Sequence, residues 1–236
     1  MAGKRKGFDD IRGTLFFEIA RILGHYRDIG KSIPCFLLEN VKGLLNHDNG
    51  RTFATIYRVL SDLGYTIEFQ LLNTKWFLPQ NRERIYIVGY IGNRGRPQVF
   101  PINDSNSNNN IRYTKTQIKS QHRKNFTRKS EEIISVADYR FDEGLRVRED
   151  NISPTLCRSL GSQPYIIRDS EIRKMLPVET CRLQSFPDNW NKYGNYNGKI
   201  VLINDNQRYK QMGNSVTVRV VMEIAKKIKN LIKEDK

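Results

Sequence analysis

Three short segments of this 236-residue sequence place polar side chains where chemistry could be done. In LLENVKGL, Glu39 and Asn40 close a short apolar run from Ile33 to Val41. A run of that length suits a buried strand, and open α/β sheets bind ligands just outside the carboxyl ends of such strands. A carboxyl group withdrawn from water there can stay protonated and donate a hydrogen bond. The same two residues could equally cap the next turn. In PQNRERIYIVGY, Gln80, Arg82 and Arg84 alternate, and a strand period of two would put all three on one face. Two guanidiniums projecting together can fork onto a phosphate or a base edge. Charges guarding a sheet edge would read the same way. In QMGNSVTVRVV, Gly213, Asn214 and Ser215 stand before a long apolar-periodic stretch. Backbone N–H groups at a helix start suit a carboxylate or phosphate, whereas N-capping by Asn214 or Ser215 needs no ligand.

The remaining composition narrows the class of partner. A formal net charge of +15 points to a polyanion, because such a field draws in phosphates at long range. Residues 112–129 hold seven Lys or Arg and no acid, a pattern that a merely solvated face would also give. The three cysteines, Cys35, Cys157 and Cys181, lie far apart without a CxxC pair. That spacing argues against a structural metal site or a secreted disulfide framework. No apolar run approaches the roughly 20 residues that span a bilayer. The opening MAGKRKGFDD has no signal-peptide core, so a cytoplasmic protein is expected.

The elements that must position these groups follow from periodicity. Residues 1–13 read as a polar loop, and a helix opens at Thr14 and closes at Gly24. Ile33–Val41 reads as a strand buried on both faces, and Thr52–Leu63 as a helix ended by Gly64. Thr66–Leu72 and Arg84–Ile91 read as strands. Helix, strand, helix, strand, strand is the back half of an α/β sheet. The Asn/Ser tract at 103–110 suits a linker, and residues 136–168 suit short strands and turns. From Ile172 a helical pattern resumes, and Val216–Ile232 is amphipathic, with Val220, Val221, Ile224, Ile228, Leu231 and Ile232 on one face.

In this order and spacing the segments resemble the C5-cytosine DNA methyltransferases of bacterial restriction–modification systems, over nearly the whole chain except about 102–135. GKRKGFDDIRGTLFFEIARIL is similar to that family's mobile active-site loop and following helix. ENV at 39–41 resembles its glutamate motif and QNRER at 80–84 its QxRxR motif. RKMLPVETCRLQSFPDNW at 173–190 is similar to its RxLxxxExxRxQGFP block, with Ser185 where glycine is usual, and QMGNSV at 211–216 resembles its closing cofactor motif. The resemblance implies an α/β fold: a partial, Rossmann-like S-adenosylmethionine-dependent methyltransferase sheet with a small, mostly β target-recognition domain. The expected division is 1–101 for the partial catalytic domain, 102–170 for recognition, and 171–236 for a segment returning to the catalytic domain. Glu39 would protonate or hydrogen-bond cytosine N3, promoting attack at C6, and Arg84 would hold the flipped base. Gln80 and Arg82 would buttress the site, and with Lys4, Thr155 and Leu156 they form the expected substrate and DNA contacts. Leu15 would touch the adenosine part of S-adenosylmethionine, and Asn214, Ser215 and Val216 its methionine part. No metal is implied, and double-stranded DNA is the implied partner.

Two family features have no counterpart in these residues: the glycine-containing FxGxG loop and the Pro-Cys nucleophile. Cys35 follows a proline but sits inside the strand leading to Glu39. Without a thiolate there is no adduct at C6 for Glu39 to assist. The expectation is a truncated or split form, Met1 being an internal methionine and a complementary amino-terminal fragment being a partner. Two other readings stand beside it: a non-catalytic DNA-binding derivative, and a tRNA cytosine-5 methyltransferase of similar motifs.

Overall fold

A computed structural model describes residues 11–92, 99–103, 134–140, 142–157, 163–168 and 171–233. Lys4, the basic stretch at 112–129 and all but the first residue of the Asn/Ser tract lie outside these. The chain divides into two compact units. One comprises Met1–Leu72, Glu83–Ile102 and Glu223–Lys236, and the other Asn73–Arg82 and Asn103–Met222.

The first unit is a three-stranded sheet with helices. Its strands are β1 (Cys35–Val41), β2 (Tyr65–Asn73) and β3 (Glu83–Ile91), in the order β1-β3-β2. β1 and β3 pair antiparallel, with Cys35 opposite Tyr90 and Val41 opposite Arg84. The helices are α1 (Ile11–Asp28) and α2 (Arg51–Asp62). Leu23 of α1, Ile56 and Leu60 of α2, Tyr65 of β2, and Ile85 and Ile87 of β3 form the core. β3 is the central strand, and it alternates nothing: Ile85 through Tyr90 are buried on both faces apart from the side-chain-less Gly89. That glycine is required by close approach, since a Cβ there would lie 2.1 Å from the Phe36 ring opposite it. Phe36 in turn meets Tyr65 edge-on at 4.9 Å.

Two differences from the sequence expectation have physical causes. α1 runs through Gly24 to Asp28, and the left-handed Gly30 ends it (φ 68°). Gly24 costs a helix only about 1 kcal/mol, which the burial of neighbouring Leu23 offsets. β1 is half-buried, not enclosed on both faces. It is the last strand in its order, so among the described residues one of its edges has no strand neighbour.

The second unit holds a four-stranded antiparallel sheet, β4 (Ile134–Arg140), β5 (Gly144–Val147), β6 (Tyr165–Arg168) and β7 (Glu171–Lys174), ordered β5-β4-β6-β7. Ile172 therefore lies in a strand, opposite Ile167, and the helix begins five residues later as α3 (Pro177–Leu183). Proline at the first helical position fixes that start. Glu179 completes it by accepting from the Leu176 N–H at 2.7 Å and clasping Arg173 through both oxygens. A hairpin of β8 (Tyr193–Tyr196) and β9 (Lys199–Leu202) turns at Asn197 and Gly198, both left-handed. α4 (Asp205–Asn214) and α5 (Val218–Lys233) follow. Leu156, Met175, Cys181 and Met212 make this unit's core. α5 begins in this unit and continues from Glu223 in the first; along it Val220, Ile224 and Leu231 are buried as expected, while Ile232 is 40% exposed at the margin of that face.

Candidate active site

The carboxyl end of β1 brings Glu39 to Arg84. In the β1–β3 register Glu39 faces Tyr86 and Val41 faces Arg84, so all four side chains share one face of the sheet. On the diagonal, Arg84 Nε lies 3.1 Å from Glu39 Oε1. The pair is neither sealed nor loose, with side chains 16% and 26% exposed for Arg84 and Glu39. Arg84 also donates from Nη1 to the Glu83 carbonyl at 2.8 Å, which fixes its plane. The two readings of ENV divide between its residues. Asn40 caps, its side-chain oxygen accepting from the Val41 N–H at 2.8 Å, whereas Glu39 turns to the arginine. The lone acid expected from the sequence instead faces a guanidinium. Such a pair presents an acceptor edge beside a fork of donors, a pattern suited to a planar polar ring.

Gln80 and Arg82 do not extend this face. β3 begins at Glu83, and the residues before it belong to a closed loop. Asn73 Oδ1 accepts from the N–H groups of Lys75 and Arg82, and the Thr74 N–H donates to the Arg82 carbonyl at 2.9 Å. The Gln80 backbone bridges Ser153, and the Thr155 hydroxyl donates to the Asn81 carbonyl at 2.7 Å. Arg82, 3% exposed, points inward, with Nη2 donating to the Ser215 carbonyl at 2.6 Å and Nη1 to the Gly213 carbonyl at 3.3 Å. Gln80 is fully buried, and among the described residues neither atom of its side-chain amide has a hydrogen-bond partner.

The Gly213–Val216 segment also departs from expectation. Gly213 and Asn214 are the last residues of α4, and α5 starts at Val218, so the segment is a helix end and a corner. The Ser215 N–H and hydroxyl both donate to the Met212 carbonyl, at 3.3 and 2.9 Å. With the carbonyls of Gly213 and Ser215 taken by Arg82, the exposed Asn214 side chain is what the corner offers outward. Leu15 is an exposed apolar residue on α1. Leu156 is a core residue of the second unit, and Thr155 beside it is half-buried.

The three cysteines differ in setting. Burial pushes the Cys35 thiol up to about 11. Cys35 also lies four residues from Glu39, about 13 Å along a strand, too far to share one pyrimidine ring with it. Cys181 is buried and raised by desolvation, its Sγ 3.4 Å from Asn191 Oδ1, and Cys157 is exposed in the second unit. Among the described residues no group of His, Cys, Asp and Glu is placed to hold a metal, and no helix is long and apolar enough to cross a membrane.

Sequence reasoning missed Gln184, Thr217 and Thr74. Gln184 Nε2 donates to the Met212 carbonyl at 3.2 Å, and the Gln184 carbonyl accepts from the Val218 N–H at 3.0 Å. The glutamine of LQSFP was the only available signal, and nothing in one sequence ties it to a segment 30 residues on.

The three-stranded sheet with its helices and the small four-stranded antiparallel sheet are a mixed α/β arrangement. Solved structures agree. Over 97% of this chain and 73% of its own, the Dnmt2 methyltransferase of S. pombe superposes with a TM-score of 0.61 at 17% identity. A DNMT2 mutant of Spodoptera frugiperda gives 0.60, over 96% and 75%. Residues 1–230 match the family of C-5 cytosine-specific DNA methylases, and the chain belongs to that family. It is 35% identical to the type II methyltransferase M1.ScrFI of Lactococcus lactis subsp. cremoris, over 100% of this chain and 60% of that protein. To M.SsoII of Shigella sonnei it is 38% identical, over 96% and 60%. The chain thus spans about 60% of the length of these relatives.

Proposed function

We propose that these 236 residues form the base-clamping, recognition and cofactor-closing part of a DNA cytosine-5 methyltransferase. They act with a thiolate supplied from residues outside them. The carrying observation is the Glu39–Arg84 pair at 3.1 Å, partly exposed at the carboxyl end of β1. A cytosine taken out of the duplex stack would lay its ring edge there. Glu39 would hold or deliver the proton at N3, so that the ring accepts electrons when sulfur attacks C6. Arg84 would orient both the carboxyl group and the base. S-adenosylmethionine supplies the methyl group when bound. In the second unit the exposed amide of Asn214 and the hydroxyl of Ser215, with Val216, suit its zwitterionic end. In the first unit, taken by itself, the exposed Leu15 suits an adenine face.

Two surfaces of the first unit favour a complementary polypeptide segment. β1 has an edge without a strand neighbour among the described residues. α1 carries Leu15, Ile22 and Tyr26 exposed at helical spacing, beside the face that buries Phe16, Ile19 and Leu23. Unpaired edges and second apolar faces call for cover. Thr155, with Lys4 and the 112–129 stretch, would serve double-stranded DNA, while Leu156, buried in the core, would only support Thr155 from beneath. The test is reconstitution with a segment carrying FxGxG and Pro-Cys from a relative. The pair should transfer labelled methyl to cytosine in duplex DNA, and the 236 residues alone should not. Transfer by the 236 residues alone, or to tRNA and not DNA by the pair, overturns this reading.

A further inference from the structure

A directional chain of hydrogen bonds runs beneath the corner assigned to the cofactor. The Gln184 side chain is fully buried. Its Nε2 faces the Met212 carbonyl at 3.2 Å, a group that can only accept, so the amide nitrogen must point there and the amide oxygen away. That oxygen lies 2.7 Å from the Thr217 hydroxyl, which must therefore donate its one proton to it. The Thr217 oxygen lies 3.0 Å from the Thr74 hydroxyl, and with its own proton committed it can only accept. The order is thus fixed: Thr74 to Thr217 to Gln184 to the Met212 carbonyl. Thr217 is wholly enclosed and Thr74 is 2% exposed, so water cannot replace a missing member without rearrangement. The same corner is tied twice more, by Arg82 to the carbonyls of Gly213 and Ser215 and by the Gln184 carbonyl to the Val218 N–H.

Every carbonyl so held is drawn inward, which turns the side chain of Asn214 and the face of Ser215 outward. Thr74 belongs to the loop before β3, Gln184 ends α3, and Thr217 lies in the corner itself. Three segments distant in sequence therefore agree on one backbone conformation. We infer that Gln184, Thr217 and Thr74 are positioning residues for the methionine end of the cofactor, shaping Gly213–Val216 without touching the ligand. This rests on the reading of that corner as the cofactor's closing motif. The relay addresses the amino-acid end of the ligand only, so it makes a selective claim. Losing it should weaken ligands that carry the amino-acid group and spare those that lack it.

The test has two arms. In the first, amide hydrogen exchange is followed in the 236-residue chain for wild type, Thr217→Val and Thr217→Ser. Valine keeps the shape and removes the hydroxyl, while serine keeps the hydroxyl. The valine variant should exchange about tenfold faster at the Ser215 and Val218 amides, with β4–β6 unchanged and serine near wild type. Unchanged exchange in the valine variant overturns the relay. In the second, the reconstituted pair is titrated with S-adenosylhomocysteine and with methylthioadenosine, which lacks the amino-acid group. Thr217→Val should weaken the first about tenfold and the second less than about twofold. Equal loss for both ligands overturns the positioning role. A wild-type pair that binds neither ligand overturns the cofactor reading itself, while the exchange arm still decides the relay.

Discussion

Two arginines separated by one residue, Arg82 and Arg84, sit in regions built on opposite plans. Around Arg82 every nearby polar group points inward: the guanidinium is buried, and it holds two backbone carbonyls of the Gly213–Ser215 corner. Around Arg84 the polar groups stay partly open, and the partner is a side chain with exposed oxygen. The first region spends the Arg82 hydrogen bonds on its own backbone. The second keeps donors and acceptors at a strand end where a ring could meet them. Proximity in sequence therefore says little about role, because the change from loop to strand at Glu83 separates the two.

The sharpest way to break this contrast is kinetic. In the reconstituted pair, Glu39→Gln should lower methyl transfer by about 10²- to 10⁴-fold, the usual worth of a positioned acid or base. Its thermal midpoint should stay near wild type. An active Glu39→Gln pair would remove the chemical half of the comparison.

Stability gives the second contrast. Arg82→Ala leaves two part-buried carbonyls without their charged donor and should cost about 2 kcal/mol in urea unfolding. Arg84→Ala removes a partly solvated pair and should cost less than about 1 kcal/mol. Equal costs would mean that both arginines are scaffold. Within the first unit, Gly89→Ala should cost about 1–3 kcal/mol, because Phe36 cannot keep its place over a methyl group. In the second, Ser185→Gly should add about 0.5–1 kcal/mol. Ser185 follows the Gln184 cap of α3 in the left-handed region at φ 59°, where a side chain is strained.

The smallest effect is read by thiol labelling. At pH 8 Cys157, exposed, should react first with iodoacetamide, and Cys35 and Cys181 slowly. For Cys35 the folded thiol ionises near 11 against 9.0 in a free chain. Between those values the native state holds the extra proton, so this burial stabilises fully below about pH 9 and less as pH rises towards 11. Rapid native labelling of Cys35 at pH 8 would place it outside the interior of its unit.

Much of this architecture is legible in the chain. β2, β3, α2 and α5 follow from apolar period and from Gly64, because each depends on local pattern and one buried face. The misread places are those where distant contacts decide. Ile172 has a helical neighbourhood in sequence yet pairs with Ile167 across a strand ladder. Gly24 looks like a stop until the packing of Leu23 carries the helix past it. Gln80 and Arg82 alternate correctly for a strand, but Asn73 gathers them into a loop. Glu39 was visible because it ends an apolar run, while its arginine partner, 45 residues on, required the register of two strands. One signal was local and still unread: Asn197-Gly198, between Tyr196 and Lys199, is the residue pair that a two-residue hairpin prefers.

That same pair carries a chemical clock. When glycine follows asparagine, its unhindered backbone nitrogen can attack the side-chain amide, expelling ammonia and closing a succinimide that reopens to aspartate or isoaspartate. In the folded hairpin the Gly198 nitrogen is engaged, its N–H donating to Asn195 Oδ1 at 2.8 Å, and the turn holds both residues left-handed. Ageing at Asn197 should therefore be slow in the native protein and fast in the unfolded one. A gain of one mass unit at this tryptic peptide then records how long the hairpin has spent open.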